Sequence, residues 1–324
     1  MTGGPPRFRP LAVVNDARCL AHDTGPDHPE APARVAAILD RLTAGPLSGV
    51  LRRVRPRRAG VEDLLAVHDE GYLLRFEEAC LSGASYLDHT DNRLCYDSYE
   101  AALVAAGAGL TGVDLIEGNV SPLVFCAVRP PGHHAERAMP LGFCFLNNAA
   151  VAAAYWRRHH GRRIFIFDFD AHHGNGIQEA FDEEPDVFYS SIHEHPTYSF
   201  PGTGYAEDRG TGPGRGATLN VPLPPGAGAA DVARALESQV GPAVAAFRPD
   251  AFLVAAGFDG HAADDMSGLA YDTGLFGTLG LHVAAWAARW AGGRVLCLLE
   301  GGYHLEALAA GAEAFLAGLA LEAG

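Results

Sequence analysis

Six cysteines are all that the 324 residues carry, and no two of them form a CxxC pair. Cys19, Cys80, Cys95, Cys126, Cys144 and Cys297 are scattered. Cys126 and Cys297 lie inside apolar runs, where a buried free thiol is the ordinary occupant. Positive charge is also scarce. Against 39 acidic residues stand 24 basic ones, for a formal charge of −15. That balance argues against a nucleic-acid partner, which needs basic patches, and favours the approach of cationic substrates. The opening "MTGGPPRFRP" lacks the apolar segment of a signal peptide, and no uncharged run approaches the length of a membrane span. The expectation is a cytoplasmic, reducing environment with neither nucleic acid nor membrane as partner. Nothing in the sequence bears on oligomeric state.

What the chain does have is globular composition, with 48% hydrophobic residues, enough to exclude general disorder. No internal repeat is found. Amphipathic helices are expected over 30–43, 98–117, 147–160, 230–247 and 275–291, with a last helix in "LEALAAGAEAFLAGLALE". Between them lie apolar runs of strand length at 122–128, 163–169, 187–192, 251–258 and 294–300. Strands that are nearly continuously apolar and alternate with helices indicate a mostly parallel sheet covered on both faces. The Gly/Pro-rich stretch 201–216 reads as a long loop able to cover a site. One domain over 1–324 is the expectation.

The chemistry gathers at the ends of four runs. The first leads to His133 and His134, the second to Asp168, Asp170, His172 and His173, the fourth to Asp259, and the fifth to Tyr303. Ligands of open parallel sheets bind outside the carboxyl ends of the strands, so these residues should meet in one place. Asp170 and His172 stand two apart and face the same way in an extended segment. With Asp259 they would form a three-ligand metal site open to water and substrate. The plainer alternative is that Asp168 and Asp170 cap the next helix. His159–His160, beside four arginines, reads as solvated. His68, His89, His193, His195 and His261 are expected to be structural or superficial. Tyr303, after two glycines, is either a site residue or a core tyrosine with a satisfied hydroxyl. The glycines of "HHGNG" have no phosphate-binding lysine beside them, which argues against a nucleotide site.

Read together, "HPEAPARVAAI", "RPPGHHAERAMPLGFCFLNNAAVAA", "FDFDAHHGNGIQEAF", "SIHEHPTYSFPGTG", "AAGFDGHAADDMSGL" and "LEGGY" resemble, in order, the zinc-dependent histone deacetylase family. That family includes bacterial members and the acetylpolyamine amidohydrolases, and the likeness is to its class II-like branch. The resemblance implies the arginase/deacetylase fold, a single α/β domain around an eight-stranded parallel sheet flanked by helices. It implies Asp170, His172 and Asp259 as zinc ligands, with a set hard enough to accept Fe²⁺ as well. His133 and His134 become the tandem histidines, partnered by Asp168 and Asn175, and Tyr303 the transition-state tyrosine. Gly142, Phe143 and Phe200 match the acyl-lysine tunnel, and Arg34 matches an arginine of the acetate channel. Asp168, Asp170, His172 and Ser191 match a structural potassium site. Asp264-Asp265 stands where many relatives have Asp-Pro. Met266 stands where one polyamine-specific type has a glutamate, which argues against that preference.

The resemblance implies hydrolysis of an N-acyl amide, with acetyl-lysine in a protein or peptide as the leading substrate. His134 would be the general base and His133 the more cationic partner. Acetylated polyamines or other small amines are the alternative substrates. A non-catalytic zinc-binding partner protein and a two-manganese relative are the alternatives outside that chemistry.

Overall fold

The computed structural model describes residues 6–322. Eight strands form one all-parallel sheet: β1 Leu11–Val14, β2 Leu51–Val54, β3 Leu123–Cys126, β4 Ile164–Asp168, β5 Val187–Glu194, β6 Thr218–Leu223, β7 Ala251–Ala256 and β8 Val295–Leu299. Their order is β2-β1-β3-β8-β7-β4-β5-β6. The five strands expected from apolar runs are β3, β4, β5, β7 and β8, buried along their whole length. A hydrophobic core lies on each face, the arrangement that parallel sheets require.

Around the sheet run α1 Ala33–Ala44, α2 Val61–Leu64, α3 Glu70–Leu81, α4 Ser98–Glu117, α5 Asn148–His160, α6 Asn175–Phe181, α7 Ala229–Ala235, α8 Gly241–Phe247, α9 Thr273–Trp290 and α10 Leu305–Ala320. Two of the expected helices differ from their reading. α4 is not amphipathic but buried over most of its surface. By length and hydropathy it is able to cross a bilayer, yet here it packs against α5, β3 and β8. Gly107 and Gly112 let it approach so closely that an added Cβ would fall 2.0 Å from the Arg57 carbonyl oxygen and 2.4 Å from Leu296. The expected helix 230–247 opens into a π turn over Leu236–Val240. Pro242 has no N–H for the Ser238 carbonyl and its ring would collide there, so the helix widens just before it.

The four strands whose ends carry reactive residues, β3, β8, β7 and β4, are adjacent at the centre of the sheet. Their registers bring Asp168 beside Ala255 on β7 and Ser191 on β5.

Candidate active site

Three side chains converge beyond β4 and β7. His172 Nδ1 lies 3.2 Å from Asp170 Oδ1 and 3.1 Å from Asp259 Oδ2. The outer oxygens are spoken for: Gly301 N–H donates to Asp170 Oδ2 at 2.7 Å and Ala171 N–H to Asp259 Oδ1 at 2.9 Å. His172 Nε2 is 3.1 Å from the Met266 carbonyl oxygen, which only accepts, so Nε2 carries a hydrogen. A neutral His172 therefore turns a lone pair toward two buried carboxylate oxygens. That arrangement is repulsive unless a proton or a metal ion sits among the three. The 3.1–3.2 Å spacings fit donors roughly 2.0–2.1 Å from one small tetrahedral ion. Burial opposes charge on His172, but Asp259 and Asp170 outweigh it and push the imidazole well up. Burial and Asp170 push the Asp259 carboxyl up to about 6. The cluster asks for positive charge, and a divalent metal fits its donor set. Helix capping is excluded: α6 starts at Asn175 with Gly174 before it and no side-chain cap.

The tandem histidines lie 3.9 Å apart, centroid to centroid, with their rings tilted by 42°, and their environments push them in opposite directions. His133 Nδ1 is 3.3 Å from Asp168 Oδ2, which also accepts from the Tyr189 hydroxyl at 3.0 Å. Burial disfavours its charge, but Asp170 and Asp168 prevail and hold it up to about 10. Burial first, then His133 and His172, drive His134 well below the usual imidazole range. Asn175 Nδ2 donates to Glu136 Oε1 at 2.7 Å, so its Oδ1, 2.8 Å from His134 Nδ1, is an acceptor. His134 thus carries its hydrogen on Nδ1 and leaves Nε2 a free base.

A cavity of about 630 Å³ stands over these groups, lined by His134, Gly142, Phe143, His172, Phe200, Met266 and Tyr303 among others. Gly142 has a positive φ of 53°, and a Cβ there would fall 2.5 Å from the His134 ring and 2.8 Å from Phe200. Only glycine leaves the passage open. The Phe143 and Tyr303 rings meet edge to face at 5.7 Å. The Tyr303 phenol makes no hydrogen bond among the described residues, and burial pushes its pKa well up, so it remains a proton donor. Asp264 aims it: its Oδ2 accepts from the Tyr303 and His304 N–H groups at 2.6 and 2.9 Å.

Arg34 is wholly buried behind Tyr303, its guanidinium 4.8 Å from the ring centroid, and donates to Gly302 O at 2.6 Å and to Glu300 O. Ser191 Oγ lies 2.7 Å from His193 Nδ1. His193 donates from Nε2 to Gly204 O at 2.9 Å, and burial holds it down at about 4, so it is neutral and accepts the Ser191 hydrogen. The lone pairs of Ser191 Oγ stay free beside Asp168, which suits a hard monovalent cation.

Several contributors gave no signal in the sequence. Besides Asp264, Glu300 Oε2 accepts from Gly132 and His133 N–H at 2.7 and 3.0 Å and fixes the turn that carries both histidines. His133 and Glu300 also form, with Cys144, a second buried group of potential ligands. Glu30 joins Arg34 and Arg129, and Glu194 enters the cavity wall. The loop 201–216 turns away from the cavity: Thr203 meets His173 and Gly204 meets His193, while Tyr198–Phe200 just before it form the wall. His159 and His160 are exposed beside Tyr155, one ring tilted and the other edge-on to it, and are not part of the site.

Comparison with known proteins agrees over nearly the whole chain. The sequence model of the histone deacetylase domain matches residues 28–319. Histone deacetylase 14, chloroplastic, of Arabidopsis thaliana is 40% identical over 313 residues, covering 91% of this chain and 73% of that protein. Polyamine deacetylase HDAC10 of Homo sapiens is 38% identical, covering 86% of this chain and 43% of its own. The crystal structure of the HDA15 HD domain superposes with a TM-score of 0.88 at 33% identity, over 95% of this chain and 87% of that one.

Proposed function

Because the chain belongs to the histone deacetylase family of hydrolases, we propose that it is a zinc-dependent amidohydrolase that removes an acyl group, acetyl foremost, from acetyl-lysine in a protein or peptide. Acetylated polyamines and other small acylated amines are the alternative substrates. The observation that carries this reading is the pair of buried carboxylates facing His172 Nδ1 at the foot of a cavity shared with His134 and Tyr303. The whole of 1–324 is taken as one deacetylase domain, working in the cytoplasm.

Bound at Asp170, His172 and Asp259, the metal would supply Lewis acidity toward the amide carbonyl and a water molecule. Zn²⁺ suits the two-carboxylate, one-imidazole set, and Fe²⁺ is compatible with it. His134 Nε2 takes a proton from the attacking water and returns it to the leaving amine. Asn175 keeps the ring in that tautomer. His133, cationic against Asp168, stabilises the negative charge that builds nearby. The Tyr303 phenol donates to the carbonyl oxygen as it becomes an oxyanion. Phe143 and Phe200 wall the acyl chain, Met266 adds an apolar side, and Arg34 lies along the exit for acetate. K⁺ at Asp168, Asp170, His172 and Ser191 would brace the turn after β4.

The deciding experiment loads the purified protein with Zn²⁺ and measures amine release from an acetyl-lysine peptide and from acetylated diamines, alongside elemental analysis. One zinc per chain with amine release is expected. Full zinc without turnover on any acylated amine would make the chain a metal-binding partner protein, and two manganese ions would make it a relative of another chemistry.

A further inference from the structure

Glu194, the last residue of β5, is 3% exposed, yet it lines the cavity that holds His134, His172 and Tyr303. Its two oxygens have different employment. Oε2 accepts from Gly268 N–H at 3.0 Å and ties the end of β5 to the segment 266–268, whose Met266 carbonyl holds His172. Oε1 accepts no hydrogen bond from any described residue. It packs against Gly268, where an added Cβ would fall 2.4 Å away. One acceptor is all that the structural tie requires, and a glutamine would supply it. The second oxygen is not among the fully buried atoms that lack a partner; it is open to the cavity, where water or a ligand can supply its donor.

The protein has little to offer it. None of the fifteen residues lining the cavity is lysine or arginine, and Asp91 and Asp265 add further negative charge to the same wall. Of the two histidines there, His134 is held neutral and His172 faces its own carboxylates. The chain contains no lysine anywhere, all 24 basic residues being arginine. The only primary ammonium of side-chain type that can reach Glu194 is therefore one brought by a ligand. The net charge of −15 would draw such a ligand in.

We propose that Glu194 is a specificity-determining residue whose free Oε1 receives a second, unacylated ammonium of the substrate. The preferred substrate is then an N-acylated linear diamine or longer oligoamine rather than a neutral acyl-lysine peptide. This rests on the amidohydrolase reading above and, within it, sets the small acylated amines ahead of the acetyl-lysine named first there. Met266 does not offer the carboxylate that a glutamate there would provide; Glu194 brings one to the same cavity from the neighbouring strand end. The ammonium binds equally in the ground state and the transition state, since it lies away from the reacting carbonyl. Its loss should appear in KM and leave kcat alone.

The test compares three compounds on the zinc-loaded enzyme: N-acetyl-1,5-diaminopentane, its uncharged analogue N-pentylacetamide, and an acetyl-lysine peptide with blocked ends and no other charge. Each is assayed with the native protein and with Glu194→Gln, which keeps an acceptor for Gly268 and removes the charge. A charge-assisted hydrogen bond is worth roughly a factor of ten to a hundred. The acetylated diamine should therefore show a KM about tenfold or more below that of N-pentylacetamide, and Glu194→Gln should erase that gap with kcat unchanged. KM for the neutral peptide should move less than about twofold, the limit set by surviving packing. A variant that affects all three compounds alike, or none, overturns the role of Glu194 while leaving the amidohydrolase reading standing. Absence of hydrolysis of all three by the native enzyme overturns both.

Discussion

Two clusters of buried charge lie behind the same strand ends, and they are closed in opposite ways. In one, Glu30 receives Arg34 at 3.1 Å and Arg129 at 2.6 Å, and the remaining guanidinium hydrogens go to the carbonyls of Cys19, His22, Glu300 and Gly302. Burial opposes charge on Glu30, yet the arginines hold its carboxyl down at about 2. In the other, Asp170 and Asp259 share the His172 imidazole, His133 Nε2 stands 3.8 Å from Asp170 Oδ1, and no arginine is among the hydrogen-bond partners of either carboxylate. The first cluster is complete as protein, and the second needs either a proton on His172 or a metal ion among its three donors. A buried charge cluster thus reveals its purpose by what remains unpaid in it.

The comparison breaks most sharply if the open cluster is altered. Asp170→Asn and His172→Ala should each lose stoichiometric metal and reduce turnover by at least about 10³, because two of three ligands come from this one strand end. Elemental analysis checks the first effect and amine release the second. Full metal content in the His172→Ala protein would remove it from the ligand set.

In the closed cluster the corresponding loss should be one of stability. Arg129→Met strips Glu30 of two hydrogen bonds and leaves carbonyls without donors. Breaking a buried pair from one side costs about 3–5 kcal/mol, to be read from the denaturant midpoint. The double replacement Glu30→Leu with Arg129→Met should recover part of it. A loss below about 1 kcal/mol would mean that the pair is not the fastening described here.

How much of this was legible beforehand follows from the physics of each part. β3, β4, β7 and β8 were readable because central parallel strands are apolar throughout. β1 was missed at four residues. β2 and β6 were missed because an edge strand must discourage further pairing: one carries Arg52 and Arg53, the other Pro222. In the site, Asp170, His172, His133, His134 and Tyr303 stood out as reactive residues at strand ends. Glu30, Asp264 and Glu300 did not. Glu30 stands four residues before Arg34, a spacing that was there to be read, but its other partner, Arg129, is 99 residues away; Asp264 and Tyr303 are 39 apart, and Glu300 and Gly132 are 168 apart. No local spacing announces such distant pairs. The eight-strand count came only from resemblance.

Tyr303 lies between the two clusters, with Arg34 behind its ring and the metal ligands sharing its cavity. Tyr303→Phe should keep the ring packing and the metal while lowering kcat by about 10²–10³ with little change in KM or Tm, since the missing donor matters chiefly in the transition state. Unchanged kcat with a lowered Tm would assign Tyr303 to the closed, structural cluster instead.

The smallest effect concerns protons at the closed cluster. His22 is 1% exposed; its Nδ1 is 2.7 Å from Ser98 Oγ and its Nε2 is 3.6 Å from Glu30 Oε2. Burial pushes its pKa down to about 4, with Glu30 pulling upward and Arg129 reinforcing the fall. In the unfolded chain the imidazole titrates near 6.5. Between those values the unfolded state binds a proton that the folded state refuses, so stability falls as the pH falls. The contribution is intact above pH 6.5, declines through the interval and reaches its full loss, about 3 kcal/mol at most, near pH 4. His22→Gln keeps a partner for Ser98 but cannot titrate. Its unfolding free energy should therefore depend less steeply on pH between 4 and 6.5 than that of the native protein, and the two should converge on parallel curves above pH 7. Equal slopes across the acid interval would show that the closed cluster admits a proton at His22 after all.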